Sequence, residues 1–200
     1  MKATGIVRRI DDLGRVVIPK EIRRTMRIRE GDPLEIFTGP NEEVVFKKYS
    51  PIGELSQFAL QYAEVMCRSC GFPVVIGDRD HIIAVAGESK KEYLERRLST
   101  VLEKIMNERK TAVAERGEGF LLAEDKDKHA VIVVPILSSG DVTGCVCVLA
   151  NEQGVFPKES EVKLAQVAAA FLGKQMEEYE KAFDRYAVES FYYLLKQRGG

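Results

Sequence analysis

Residues 11–32 read DDLGRVVIPKEIRRTMRIREGD, which breaks into a turn, a short strand and a short basic helix. Pro19 fits the first helical position, where its missing N–H costs nothing, and Gly31 fits the residue just past the helix end. Ile22 and Met26, four apart, share a face that can turn toward a core. On the other side Lys20, Arg23, Arg24 and Arg27 lie close together and project a compact cationic surface. Guanidinium groups clustered in this way suit phosphate.

Working outward, residues 4–10 place Ile6, Val7 and Ile10 among Arg8 and Arg9 and read as a strand, with residues 15–18 as its partner across the turn. Gly14 would supply a positive φ there. Leu34 to Thr38 and Glu43 to Lys48 read as a second hairpin around Gly39-Pro40-Asn41-Glu42. About fifty residues close a poor core alone, and no cysteine precedes Cys67 to staple one. A homodimer in which hairpins from two copies share one apolar interior solves this. It also sets two basic helices across a two-fold axis, matching the pseudo-symmetry of duplex DNA.

The chain is nearly neutral at −1, but its charge is uneven. Residues 1–29 carry nine Lys or Arg against Asp11, Asp12 and Glu21, whereas residues 51–200 carry 19 basic and 23 acidic side chains. In salt the field of a cluster decays within about 10 Å, so the distant acids scarcely cancel the basic end. Taken alone, such a charge distribution also fits a solvated helix face with Arg paired to Asp11, Asp12 or Glu30.

The segment from Leu13 to Arg24, LGRVVIPKEIRR, closely resembles the hinge of the AbrB-type swapped-hairpin DNA-binding family, and the chain from about Met1 to Glu178 is similar to a sporulation member of that family carrying a GAF-like domain, residues 179–200 extending beyond it. The resemblance implies an α+β two-domain protein. Its N-terminal part would be a swapped-hairpin β-barrel in an intertwined dimer, followed by a GAF-like α/β sandwich flanked by oligomerising helices. It implies DNA contact through Arg8, Arg15, Arg23 and Arg24, with Arg9, Lys20 and Arg27 beside them and Lys2, Lys47 and Lys48 as rim candidates. It further implies a regulator that activates and represses spore-development genes. The basic helix is too short to read many base edges, so specificity is expected from the shape of A·T-rich duplexes, with steep salt dependence.

Three divisions are expected: residues 1–50, residues 51–178, and a helical extension over residues 179–200. Tyr49-Ser50-Pro51 reads as a linker. Ile52, Leu55, Ala59, Tyr62 and Met66 then alternate steps of three and four, as in a helix with a parallel neighbour. Residues 72–77 and 81–86 read as strands, 89–109 as a helix with Leu94, Leu98, Val101, Leu102, Ile105 and Met106 as its stripe, and 119–124 as a strand. Residues 129–137 and 142–150 form a hairpin around Ser138 to Asp141. From about Lys158 a long helix repeats Val162, Ala165, Ala169, Leu172, Met176, Tyr179, Phe183, Tyr186, Ser190 and Tyr193, a seam that with the first helix implies a bundle between subunits and a dimer of dimers. Its run Phe191-Tyr192-Tyr193-Leu194-Leu195 would be sticky if exposed.

Catalytic chemistry has little support. Cys67-Arg68-Ser69-Cys70 with Cys145 and Cys147 offers four thiols for zinc or redox work, yet the second pair lacks knuckle spacing, and buried cysteines commonly act as small hydrophobes. A cysteine-dependent GAF-fold methionine sulfoxide reductase is the enzymatic alternative, and an AbrB-type antitoxin the alternative among DNA binders. His81 and His129 form no triad, and no phosphate-binding loop or dinucleotide fingerprint is present. The expectation is no enzyme, no cofactor and no metal, with an unidentified small ligand in the GAF-like part left open. No apolar run has signal or membrane-spanning length, so a cytoplasmic, nucleoid-associated protein is expected, with no membrane partner.

Overall fold

The computed structural model describes residues 5–39, 42–151 and 155–198, without the side chains of residues 51, 54, 180 and 182–198. The chain divides into two compact units, Met1–Tyr49 and Ser50–Gly200.

In the N-terminal unit the turn over residues 11–15 forms as expected. Asp11 Oδ1 accepts from the N–H groups of Leu13 (3.1 Å) and Arg15 (2.8 Å), and Gly14 sits at φ 77°, where a side chain would be strained. Residues 5–10 and 15–18 nevertheless form no strand, contrary to the sequence reading; Thr4 lies outside the described residues. One chain gives these segments no sheet to bury against, and Val7, Ile10, Leu13 and Val17 stay largely exposed. Helix α1 spans Lys20–Thr25. Pro19 is its N-cap rather than its first helical residue, and the helix ends well before Gly31, at Met26. Arg27 turns left-handed at φ 51°, and Gly31 belongs to a separate turn in which Asp32 Oδ2 accepts from Arg29 N–H. None of the α1 residues is buried, so Ile22 and Met26 meet no core within one copy.

Strands β1 (Leu34–Thr38) and β2 (Val44–Lys48) then pair antiparallel, Leu34 opposite Lys48 and Thr38 opposite Val44. Pro40 and Asn41 of the expected turn lie outside the described residues. Ile36 and Val44 are at least 60% exposed, so this hairpin too lacks a buried face.

The C-terminal unit is built on an antiparallel sheet. Its elements in chain order are α2 (Pro51–Glu54), α3 (Ser56–Cys70), β3 (Val74–Asp78), β4 (Ile82–Ala86), α4 (Lys90–Tyr93), α5 (Thr100–Glu108), β5 (Ala112–Val113), β6 (Phe120–Leu121), β7 (His129–Ser138), β8 (Asp141–Leu149) and α6 (Glu159–Arg198). The strand order is β4-β3-β8-β7-β5, with β6 also paired to β7. On one face Ile76, Val146, Ile136 and Val134 meet Ile52, Ala59, Met66, Ala165, Leu172 and Met176 from the helices. On the other, Val75, Val133, Cys145 and Cys147 meet Tyr93, Leu102 and Met106. The layout is two helical layers around a sheet.

Three sequence expectations change here. Residues 89–109 are not one helix. Residues 94–98 instead run along the sheet edge, where Ile82 and Glu95 exchange backbone bonds with Arg96 and Ile82, and His81 and Leu98 form bridges to Arg97 and Ala123. Ser99 then starts α5 afresh, accepting from Leu102 N–H while its hydroxyl donates to the Leu121 carbonyl. The strand at 119–124 shrinks to β6, and the short β5 appears where none was expected. Finally, Ile52, Ala59 and Met66, with Ala165, Ala169, Leu172 and Met176, are spent on the unit's own core rather than on a seam between subunits. The far part of that seam, Phe183, Tyr186, Ser190 and Tyr193, and the run Phe191 to Leu195, lie outside the described side chains, although α6 itself continues to Arg198.

Gly173 fixes how α6 seats. A Cβ at this position would stand 2.0 Å from the Leu137 carbonyl oxygen, so helix and strand backbones touch where only glycine fits.

Candidate nucleic-acid interface

The basic residues of the N-terminal unit are held by very different means. Arg15 is anchored: its Nε donates to Asp11 Oδ2 at 2.8 Å, and the same carboxylate takes the Arg15 N–H. Those bonds to Arg15 hold the Asp11 carboxyl below its ordinary range. The pairing of arginine with Asp11, one of the structural alternatives, is therefore realised, but for Arg15 only among the described residues. With 70% of its side chain still exposed, Arg15 keeps donors free to turn outward while its reach is fixed.

Arg23 and Arg24 occupy the last turn of α1 and Lys20 its first position, and all three are exposed. Among the described residues their side chains, like that of Arg9, have no hydrogen-bond or ion-pair partner. Among the described residues, Arg8 donates only to the neighbouring Val7 carbonyl, at 3.3 Å. Arg27 lies past the helix, its carbonyl accepting from Lys48 Nζ at 3.1 Å. Lys48 also lies 3.6 Å from Asp32, whose side chain is nearly fully buried, so this lysine braces the unit and is removed from the rim. Lys47 sits over the Phe37 ring, 5.4 Å from its centroid. Lys2 lies outside the described residues. Four cations without acidic partners among the described residues, beside one preset arginine, can neutralise phosphates without first breaking an internal salt bridge.

The cysteines are arranged differently from a metal centre. Cys67 and Cys70, half-buried, pack on the α3 and α6 side of the sheet, whereas Cys145 and Cys147 are buried on the α5 side with their sulfurs 3.7 Å apart. The sheet separates the pairs, and among the described residues no group of three or more His, Cys, Asp or Glu is placed to share a metal ion. Burial raises the Cys67 and Cys70 thiols, and the hydrogen bond shared with Cys145, together with burial, raises Cys147 strongly. His129 Nδ1 lies 2.8 Å from the Asp127 carbonyl, and His81 stands apart from it, just before β4, bridged to Arg97.

Sequence reading missed one surface. Phe58, Tyr62 and Phe171 form a cluster on the outer side of α3 and α6, with Tyr62 and Phe171 stacked. Phe171 breaks the three-four pattern of α6, which is why periodicity passed over it. Among the described residues, no helix is long and apolar enough to cross a membrane.

Comparison with known proteins finds two family models, one for each end of the chain. Residues 54–177 match the family model of the stage V sporulation protein T C-terminal region, described as a transcription factor, and residues 7–53 match that of the antidote-toxin recognition MazE antitoxin family. Stage V sporulation protein T of Bacillus subtilis is 51% identical over 180 residues, which are 89% of this chain and 100% of that protein. The transition state regulatory protein AbrB of the same organism is 51% identical over 69 residues, 32% of this chain and 71% of that protein. The GAF domain of a phosphoenolpyruvate-protein phosphotransferase from Coxiella burnetii superposes with a TM-score of 0.54 at 13% identity, covering 65% of this chain and 86% of that one. That likeness identifies the C-terminal fold as GAF-like.

Proposed function

Because this chain belongs to the stage V sporulation protein T family, we propose that it is a transcription regulator of spore development that grips duplex DNA through the hinge surface of its N-terminal unit. The observation that carries this reading is the set of exposed, unpartnered cations Arg9, Lys20, Arg23 and Arg24, flanked by the preset Arg15. Arg8 and Arg27 complete the surface. Two copies intertwine so that the exposed Val7, Ile10, Leu13, Val17, Ile36 and Val44 share one interior. Two such dimers join through the helices of the C-terminal units. Joining makes the second DNA contact effectively intramolecular, with avidity gains of ~100-fold or more where both sites engage. The regulator acts as activator and repressor, prefers A·T-rich duplexes by shape, and works in the cytoplasm at the nucleoid. It is not an enzyme, and its C-terminal unit senses a small ligand.

The test is fluorescence anisotropy of the full chain on an A·T-rich duplex across a salt series, beside the double variant Arg23→Ala, Arg24→Ala. Tight binding that falls steeply with salt and largely disappears in the variant supports the reading. Wild-type binding that ignores salt overturns it.

A second reading, an antitoxin, is favoured by the MazE match over residues 7–53. Against it stands the two-layered core of the C-terminal unit, since a toxin-wrapping tail has no need of one. Limited proteolysis leaving a stable fragment from about residue 52 to 174 sides with the regulator.

A further inference from the structure

A groove of about 670 Å³ lies at the outer edge of β4, between α3 and the strap of residues 90–95. It is distinct from the sheet face beneath α5, which Tyr93, Leu102, Met106 and their neighbours fill. Its volume is within the range of sites that hold small ligands. Leu60, Ile83 and Leu94 line it with apolar surface, and His81, Lys90 and Glu95 bring charge and polarity to the same space.

The two signs of charge are not equivalent to a neutralised surface pair. Asp78 also borders the groove, but its oxygens are taken by the N–H groups of Asp80 and His81 and by the Ser50 hydroxyl. Glu95 has no such occupation: among the described residues its carboxylate, like the His81 ring, has no hydrogen-bond or ion-pair partner. Its backbone is held in the left-handed region at φ 63°, with its N–H donating to the Ile82 carbonyl at 2.8 Å. A non-glycine residue kept in that conformation is strained, and here the conformation belongs to a carboxylate facing a groove. Lys90 stands at the other end of the strap. Its 3.1 Å pair with Glu64 is about half exposed on both sides, so the contact is weak and a ligand carboxylate can share the ammonium.

We propose that this groove is a binding site for a small zwitterion with an apolar body, its ammonium paired with Glu95, its carboxylate with Lys90 and His81, and its apolar part on Leu60, Ile83 and Leu94. Free apolar amino acids and apolar dipeptides share that chemistry. This rests on the reading of the C-terminal unit as a ligand sensor and assigns the site of that sensing.

Isothermal titration calorimetry on the full chain, without DNA, uses L-leucine and L-leucyl-L-leucine as probes, with N-acetyl-leucine amide as the uncharged control. Saturable binding of at least one zwitterion is expected, with the uncharged control weaker by about tenfold or more. Glu95→Gln and, separately, Lys90→Met are each expected to weaken binding by about tenfold. Lys90 is exposed, so its variant stays informative if Glu95→Gln disturbs the strap. Response to leucine alone marks a free amino acid as the ligand, and response to the dipeptide alone marks a peptide. Absence of heat from both up to about 10 mM, or affinity unchanged in both variants, overturns the site. Those failures leave salt-dependent DNA binding untouched, whereas failure of the DNA-binding reading leaves the calorimetry untouched.

Discussion

Tyr62 of α3 stacks on Phe171 of α6, their ring centroids 5.6 Å apart and their planes inclined by 25°. Phe58 joins the pair at 6.0 Å from Phe171, and Val65 and Val167 extend the apolar strip at 55% and 60% exposure. An aromatic strip on the outer side of two helices suits burial against a second copy. Phe171→Glu is therefore expected to halve the assembly mass measured by light scattering. Its thermal midpoint should fall only by what loss of association removes, so the gap to wild type narrows as protomer concentration is lowered. An unchanged mass would mean that this strip carries no contact between copies.

Gly173→Ala tests the seat of α6. The added methyl would stand 2.0 Å from the Leu137 carbonyl, and backbone on both sides leaves little room to yield. A loss of about 2–4 kcal/mol is expected, read as a fall of roughly 5–15 °C in the thermal midpoint of the C-terminal unit. Gly173→Ala with wild-type stability would mean that the helix can lift from β7 at little cost.

Asp11 holds the turn that presets Arg15. Its carboxyl is lowered in the folded chain, first by the bond from the Arg15 N–H, so its contribution is complete above the ordinary value of 3.8 and fades as pH falls through the lowered native value. At neutral pH, Asp11→Asn is expected to weaken DNA binding by about threefold to tenfold, since Arg15 loses its brace while the other cations remain. Melting curves of the two proteins should converge in acid below the native titration range, because the wild-type carboxyl is then neutral as well.

The thiols separate a sensor from a redox enzyme. Burial raises Cys67 and Cys70, which leaves less thiolate at any given pH, so both are expected to react with a disulfide reagent about tenfold more slowly than free cysteine at pH 8. Cys145 and Cys147 have no exposed surface and should react only on unfolding. Fast reaction of any thiol in the native protein would revive the reductase alternative.

Sequence patterns exposed the hairpins β1–β2, β3–β4 and β7–β8 because local turn chemistry and alternation determine them. Residues 94–98 misled because Leu94, Leu98 and Leu102 keep helical spacing while Leu94 stays 43% exposed and Leu98 bridges to Ala123. Ser99, an N-cap in the middle of that stretch, was the available signal. Strands expected at residues 4–10 and 15–18 fail for a different reason, since within this chain Val7, Ile10 and Val17 find nothing to bury against. In the N-terminal unit, the exposed placing of Arg23 and Arg24 on α1 was legible from their spacing, whereas the bracing role of Lys48 depends on Asp32, sixteen residues away. His81, Lys90 and Glu95 come from a turn, a helix and a strained link, and no spacing rule joins them.

Helix α6 runs for 40 residues, is clamped to the sheet at Gly173, and continues to Arg198. Met176 still packs in the core and Glu177 Oε1 accepts from the Ser139 N–H, so the portion past them, residues 178–198, is about 32 Å of helix at 1.5 Å per residue. A tilt of only ~5° at the sheet sweeps its tip through roughly 3 Å, comparable to the distance that makes or breaks a hydrogen bond. Gly173 is thus a fulcrum, and small rearrangements of the sheet reach the distal end of the helix amplified by its length.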